Sequence, residues 1–208
     1  MKDLGELKYF LGIEFGRSKQ GILMHQRKYA LELISETGIA AAKPAITPVD
    51  ANMQRTTTEH DEHLWKTKPT TLVDEELSNS TPYQRLIGKL MYLTMTRPSI
   101  SYSVQTLSQF LQRPKKSRMD VALRIVKYIK NSPGQGILLS IKFNSNISAY
   151  CDAEWAGCSY SRKSVSGYLV KFRHSLISWK SKKQTTVLRN SAEAEYKSLA
   201  TTVANLSS

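Results

Sequence analysis

The sequence predicts an α+β protein, with helices and strands in separate stretches of its 208 residues. Two observations predict this class. Between residues 83 and 131 apolar side chains recur every three or four positions, as in helices that pack on one face. From Gly136 onward the period changes to two, which indicates strands. The chain therefore divides into a hairpin with a helix over 1–39, a linker over 40–82, three helices over 83–135, and three antiparallel strands plus one helix over 136–208.

The first 39 residues are predicted to form a β-hairpin followed by a helix. Apolar residues over 8–15 indicate a strand, residues 16–21 a polar turn, and residues 22–24 the returning strand. Residues 26–37 place apolar side chains on one helical face. Gly38 is suited to end that helix, because glycine readily adopts a positive φ.

Residues 40–82 are predicted to be a linker, because proline, serine and threonine interrupt every periodic pattern there. His60 and His63 have the HxxH spacing of a metal site. In so polar and aperiodic a segment this spacing does not favour metal binding.

Three helices are predicted next. The first spans Tyr83 to Thr94, the second begins at about Ser99, and the third begins after Pro114. Strands are predicted over 147–155, 164–172 and 176–180, and a final helix begins at about Ser191.

Charge is distributed unevenly along the chain. Residues 1–80 carry −2, and Thr81 to Ser208 carry +15. A basic surface attracts phosphate, so a nucleic acid is the expected partner. The cations of the third helix could equally form a solvated face. The residues expected to contact nucleic acid are Lys115, Lys116, Arg118, Arg124, Lys127, Lys180, Lys182 and Lys183.

Four of the five acidic residues in this basic part form two clusters, Asp152-Ala153-Glu154 and Glu193-Ala194-Glu195. Asp152 and Glu154 are two apart on a strand and can share a face. Glu193 and Glu195 diverge by about 200° on a helix. With Asn190 as N-cap, Glu193 falls at the capping-box position and receives a structural role.

Asp152 and Glu195 remain as the expected inward pair. Carboxylates from two separate elements could coordinate Mg²⁺, although both residues could also be ordinary surface charges. Cys151 and Cys158 are expected to be free thiols, since two cysteines are too few for a disulfide scaffold.

The localisation expected is intracellular, in the cytoplasm or nucleus and not secreted. The chain has no apolar run long enough to cross a membrane and no apolar signal core at its start.

Several segments together resemble the Pol polyprotein of copia-type LTR retrotransposons, from the end of the reverse transcriptase into the RNase H domain. The resemblance covers essentially the whole chain. The segments that carry it, in order, are Lys2–Glu14 (KDLGELKYFLGIE), Gln26–Ala30 (QRKYA), Tyr83–Leu93 (YQRLIGKLMYL), Thr96–Pro98 (TRP), Ser108–Phe110 (SQF), Tyr150–Gly157 (YCDAEWAG), Ser166–Tyr168 (SGY), Ile177–Gln184 (ISWKSKKQ) and Ser191–Tyr196 (SAEAEY).

The resemblance implies roles for particular residues. Asp152 and Glu195 match two of the RNase H catalytic carboxylates, which act with Mg²⁺ on the RNA strand of an RNA/DNA hybrid. Where the family has Asp, this chain has Glu154, which implies a secondary role for that position. The four regions then become a reverse transcriptase C-terminal hairpin and helix, a linker, a helical connection region and an incomplete RNase H-like domain.

The chain contains neither the paired-Asp motif of the polymerase nor the remaining RNase H carboxylates. We therefore expect a fragment of a reverse transcriptase/RNase H polyprotein that is inactive alone and binds Mg²⁺ weakly or not at all. The alternatives are a non-catalytic nucleic-acid-binding module and an interaction protein. In either case the strand of Asp152 is expected to lie at an exposed sheet edge that a partner chain could complete.

Overall fold

The computed structural model describes residues 5–49, 74–141, 146–157 and 161–206. Within them the chain has five α-helices and two antiparallel sheets, which confirms the α+β class. The elements are β1 (Tyr9–Phe10), β2 (Ile13–Ser18), β3 (Gly21–His25), α1 (Arg27–Glu36), α2 (Thr81–Leu93), α3 (Ser101–Leu107), α4 (Lys116–Asn131), β4 (Gly136–Ser140), β5 (Ile147–Glu154), β6 (Lys163–Phe172), β7 (Ser175–Val187) and α5 (Ser191–Leu206).

The N-terminal sheet has the strand order β1-β2-β3-β4. The single strand predicted over residues 8–15 is wrong, because a tight turn divides it. Leu11 and Gly12 have φ angles of 47° and 75°, and Phe10 pairs directly with Ile13 across this two-residue turn. Two successive positive φ angles match the right-handed twist of the strands that they connect.

Strand β4 joins the N-terminal sheet, where it pairs antiparallel with β3. The two strands approach closely at two glycines. A Cβ atom added to Gly136 would lie 2.1 Å from the Met24 carbonyl oxygen, and one on Gly21 would lie 2.0 Å from that of Leu139. Residues 136–140 are therefore paired with the hairpin and not with the C-terminal strands.

Helices α1 to α4 enclose one apolar core, which unites the N-terminal helix with the three helices that follow the linker. Its fully buried members include Ala30, Leu33, Ile87 and Ile125. The second predicted helix is shorter than expected, since 3₁₀ turns at residues 98–100 and 108–110 flank the α-helical part. These four helices form the helical body of the molecule.

The described flanks of the predicted linker pack against this helical body. The Lys116 amide donates to the Glu75 carbonyl oxygen at 2.9 Å, and the Ser117 amide donates to the Asp74 carboxylate at 3.1 Å. These bonds satisfy amide groups in the first turn of α4, which have no partner within the helix.

The C-terminal sheet has the order β5-β6-β7 and is antiparallel throughout. Helix α5 packs on one face, where Ala153, Leu188 and Ala194 form a small buried cluster. The predicted three strands and one helix are present, and β7 is longer than its prediction over residues 176–180. Hydrogen bonds between the sheet and the rest of the molecule include one from the Trp179 indole to the Thr94 carbonyl oxygen at 3.0 Å and one from the Ser140 amide to the Ser175 hydroxyl at 2.7 Å.

Candidate functional site

Asp152 lies on β5, at the edge of the C-terminal sheet. Ala153 is buried beneath α5, and successive side chains on a strand point to opposite faces. The Asp152 carboxylate therefore lies on the face away from α5. There it lines a cleft of about 570 Å³, together with Tyr150 and Trp179.

Helix α3 and the 3₁₀ turn before it form the opposite wall of this cleft. The Tyr102 hydroxyl on α3 donates a hydrogen bond to the carboxylate of Glu154. Glu154 thus has a hydrogen-bond partner from the helical body. Two hydroxyl oxygens that line the cleft, on Ser101 and Ser181, are buried and without a hydrogen-bond partner.

The start of α5 forms the predicted cap with one difference. The Glu193 amide donates to the Asn190 side-chain oxygen at 2.8 Å, as an N-cap requires. The Glu193 carboxylate accepts a hydrogen bond from the Arg189 amide, also at 2.8 Å, instead of the expected Asn190 amide. Glu193 consequently stabilises the first turn of the helix and is not directed into a site.

The structure does not bring Asp152 and Glu195 together. Glu195 is exposed on α5, which lies on the opposite face of the sheet from the Asp152 carboxylate. The helix does contact Asp152, but through a hydrogen bond from the Ser198 hydroxyl to the Asp152 carbonyl oxygen at 3.0 Å.

No group of three or more His, Cys, Asp or Glu side chains with metal-binding geometry occurs in the part of the chain that the structure describes. Cys151 is a free thiol, as expected. His60, His63 and Cys158 lie outside the described residues.

The basic residues on β7 that are predicted to contact nucleic acid are exposed or half-buried. Lys180 and Lys182 are exposed and, two residues apart on one strand, share the face of the sheet that carries α5. Lys183 is half-buried on the opposite face, paired with Val165. Two of these three side chains can therefore reach a phosphate from one side.

Two of the basic residues predicted to contact nucleic acid lie near the start of α4 and are buried. Their side chains cannot contact a phosphate in this conformation. Lys115 and Arg118 are only 2% and 3% exposed. The Arg118 guanidinium lies 4.5 Å from the centre of the Phe110 ring, where a cation–π contact replaces part of its hydration. The apolar period of the helix did not predict this, because the end of the linker pairs with the residues at the start of α4 and covers its first turn.

The other basic residues of α4 that are predicted to contact nucleic acid form ion pairs or hydrogen bonds, or line a second cleft. Lys116 forms an ion pair with Glu75, and the hydrogen bond from Lys116 lowers the pKa of that carboxyl below its usual value. Arg124 donates to the Thr47 hydroxyl at 3.1 Å. Arg124 and Lys127 line a cleft of about 460 Å³ with Lys43, a residue that the sequence did not single out.

A buried polar network that the sequence did not reveal connects α1, α2 and α4. The Thr96 hydroxyl donates to the Gln26 side-chain oxygen at 2.9 Å. The adjacent Arg97 is 1% exposed and donates to the carbonyl oxygens of Ser132 and Pro133 at 2.5 and 2.6 Å. These carbonyls follow the end of α4, so Arg97 fixes the turn that leads into β4. In the sequence the Thr96-Arg97-Pro98 segment contributes only to the family resemblance, and nothing in it indicates a buried arginine.

None of the helices that the structure describes has the length and apolar character needed to span a membrane.

Comparison with known proteins relates the whole chain to transposon polyproteins. It is 39% identical, over 97% of its length, to the retrovirus-related Pol polyprotein from transposon RE1 of Arabidopsis thaliana. It is 31% identical, over 94% of its length, to that from transposon TNT 1-94 of Nicotiana tabacum. An uncharacterized mitochondrial protein of Arabidopsis thaliana is 32% identical over 99% of this chain and 80% of its own length.

The chain spans only 13% and 14% of the two polyproteins. No protein-family model and no solved structure matches it.

Proposed function

Because the chain belongs to the family of retrovirus-related Pol polyproteins of copia-type transposons, we propose that it is the stretch that joins the end of a reverse transcriptase to the start of an RNase H domain. Such a polyprotein would synthesise DNA on an RNA template and hydrolyse the RNA of RNA/DNA hybrids. The part of that function assigned to this stretch is to bind the hybrid.

The observation that carries the proposal is the exposed pair Lys180 and Lys182 on one face of the C-terminal sheet. Neither cation has a carboxylate opposite it on β6, where the paired residues are Tyr168 and Ser166. Two unneutralised cations on a rigid strand can replace counterions along a nucleic-acid backbone. The charge of +15 from Thr81 onward provides the long-range attraction.

We further propose that this chain alone does not hydrolyse the RNA strand of the hybrid. Paired Mg²⁺ ions would supply the stabilisation of the attacking and leaving oxygens. Asp152 would hold Mg²⁺ only together with carboxylates contributed by another segment, since Glu195 lies on the other face of the sheet. Within this chain the role of Asp152 is to present one carboxylate at the sheet edge.

The binding proposal is tested by fluorescence anisotropy with a labelled RNA/DNA hybrid over a series of salt concentrations. The test variant is Lys180→Gln/Lys182→Gln, and the matched control is Lys8→Gln/Lys19→Gln, which removes two exposed charges from the N-terminal residues. Each lost phosphate contact should lower the slope of log affinity against log salt by about 0.9. The test variant should therefore lose a slope of about 2 and the control much less. Equal losses in both variants would contradict an interface on β7.

The proposal on hydrolysis is tested by incubating the same hybrid with Mg²⁺ and following the RNA strand on a denaturing gel. We expect no cleavage, and we expect Asp152→Asn to bind the hybrid as the unchanged protein does. Cleavage that disappears in Asp152→Asn would show that the chain is an active ribonuclease and would overturn this part of the proposal.

A further inference from the structure

Residues 113–118, which we call the basic segment, include the chain just before α4 and the first residues of that helix. They contain four basic side chains and no acidic one: Arg113, Lys115, Lys116 and Arg118. A stretch with this charge attracts phosphate, but two of the four side chains are buried. Whether the segment can contact a nucleic acid therefore depends on what covers it.

Three consecutive acidic residues, Asp74-Glu75-Glu76, lie over the basic segment, and we call them the acidic strap. The strap runs antiparallel to the basic segment, with Glu76 as the bridge partner of Lys115. The chain just after the strap is fixed by a hydrogen bond from the Leu77 amide to the Pro114 carbonyl oxygen at 2.9 Å. The opposite charges of the two segments therefore meet only in the folded chain.

Two carboxylates of the strap pair with cations of the basic segment. The Glu76 carboxylate contacts the Arg113 guanidinium with both oxygens, at 2.8 Å from Nη2 and 3.4 Å from Nε. Glu75 forms an ion pair with Lys116. A two-point contact of this kind is also how arginine binds a phosphate group. Both cations therefore already hold an anionic oxygen of the type that a nucleic-acid backbone presents.

The third carboxylate of the strap is bound by hydrogen-bond donors at the start of α4. The Asp74 carboxylate accepts a bond from the Ser117 amide at 3.1 Å and another from the Ser117 hydroxyl. Hydroxyl groups and backbone amides are common donors to phosphate oxygens in protein–DNA complexes. All three strap carboxylates are thus bound by groups that can bind phosphate.

The strap is anchored at its C-terminal end and open to solvent along its side chains. Leu77 packs against the apolar core of the helical body. The ion pair between Glu75 and Lys116 has side chains that are 67% and 62% exposed. Exposed pairs of this kind are weak, and salt weakens them further. A polyanion therefore competes with contacts that exchange easily, while Leu77 keeps the end of the strap in place.

We propose that the basic segment is a second surface for the backbone of the RNA/DNA hybrid, covered by the acidic strap until phosphates take the places of its three carboxylates. The inference rests on the proposed function, since the hybrid is the ligand that displaces the strap. The groups released are the side chains of Arg113 and Lys116 and the two donors of Ser117. Arg118 does not belong to this surface, because its guanidinium packs on the Phe110 ring.

Opening of the strap is tested first in the protein without nucleic acid, by amide hydrogen exchange. The Lys116 and Ser117 amides lie in the first turn of α4 and donate to the strap, so their protection reports on its closure. The variant Glu75→Gln/Glu76→Gln removes both ion pairs and keeps the size of the side chains. Loss of two exposed pairs of ordinary strength corresponds to exchange that is roughly 2- to 30-fold faster. Unchanged exchange at both amides would overturn the inference.

The matched control is Glu6→Gln/Glu36→Gln, which likewise removes two acidic residues that form ion pairs, here with Arg17 and Lys89. Both variants raise the net charge by the same amount, so the long-range attraction of a polyanion increases equally. Exchange of the Lys116 amide should be unchanged in the control. A control that accelerates this exchange as much as the strap variant would contradict the role of the strap.

Binding of the labelled RNA/DNA hybrid is then measured by fluorescence anisotropy at several salt concentrations. Opening the strap adds two cations to the interface, so the slope of log affinity against log salt should become steeper by about 1–2 in Glu75→Gln/Glu76→Gln and much less in the control. Adding Arg113→Gln and Lys116→Gln to the strap variant should remove this gain. An equal gain in the control, or a gain that survives the loss of both cations, would overturn the inference.

A reversible disulfide tests the same opening within a single variant. Glu76→Cys/Lys115→Cys, in a Cys151→Ser/Cys158→Ser background, joins the strap to the basic segment, because directly opposed residues of antiparallel strands lie within disulfide range. The oxidised form should have a shallower salt slope than the reduced form, by about 1. Equal slopes would contradict the opening, and failure to form the disulfide would contradict the pairing of the two segments.

These outcomes separate the inference from the proposed function. If the hybrid binds and Lys180→Gln/Lys182→Gln weakens its binding, while the strap variant matches its control, only the inference is wrong. If no variant binds the hybrid, the proposed function is wrong and the inference loses its ligand with it.

Discussion

Arg97 is expected to be among the most important polar residues for the stability of the helical body. Its guanidinium is 1% exposed and donates to two carbonyl oxygens just beyond α4, those of Ser132 and Pro133. Burial lowers the pKa of the guanidinium, which shows that the charge is held at a desolvation cost. That cost has to be offset by the two hydrogen bonds.

The magnitude follows from these opposing contributions. A hydrogen bond from a charged donor contributes about 1.5–3 kcal/mol, and removal of the donor leaves the two carbonyl oxygens without their guanidinium partner. The relief of desolvation subtracts from this loss. We therefore expect Arg97→Met, which keeps most of the volume but no donor, to lower the free energy of unfolding by about 2–4 kcal/mol. This is a large part of the 5–15 kcal/mol typical of a folded protein.

The assay is urea denaturation followed by far-ultraviolet circular dichroism, with Arg113→Met as the matched control. Arg113 forms an exposed ion pair with Glu76 at 2.8 Å, and such pairs contribute about 0–1 kcal/mol. A loss below about 1 kcal/mol in Arg97→Met would refute the view that these two hydrogen bonds fix the turn after α4.

Two further predictions concern single contacts. Gly136→Ala should disrupt β3–β4 pairing, because its Cβ would lie 2.1 Å from the Met24 carbonyl oxygen, and faster amide exchange in β4 would show this. Gly88→Ala has open space around the added Cβ and should stabilise α2 by about 0.5–1 kcal/mol, measured by thermal unfolding. The hydrogen bond from Lys89 lowers the pKa of Glu36, so the stability from this pair is present at neutral pH and disappears as the pH falls through the lowered pKa. Carboxyl titration by NMR should show the Glu36 pKa rising towards its usual value in Lys89→Met, and an unchanged value would contradict the contact.

The features that the sequence predicted best are local ones. The cap of α5 depends on Asn190 and Glu193, three residues apart, and the spacing of these two side chains was enough to identify it. The end of α1 was similarly predictable, because Gly38 adopts a φ of 68°. In each case the interacting groups lie within one helical turn, so the sequence contains most of the geometry.

The features that the sequence did not predict depend on contacts between distant segments. The pairing of β4 with β3 joins residues more than a hundred positions apart, and the short apolar run of β4 does not specify which sheet it joins. The burial of Lys115 and Arg118 depends on a chain segment that returns from the linker and reaches the start of α4. Helical periodicity assigns charged residues to solvent and contains no information about such a covering segment.

The same distinction explains the arrangement of the two candidate carboxylates. Spacing alone showed that Glu193 and Glu195 diverge, which is a property of one helix. Whether Glu195 could meet Asp152 depended on which face of the sheet the helix covers. Ala153 decides this, because its small side chain allows α5 to approach β5 and so turns Asp152 to the other face. The sequence of one strand and one helix contains no information about that choice of face, which is made by the packing between them.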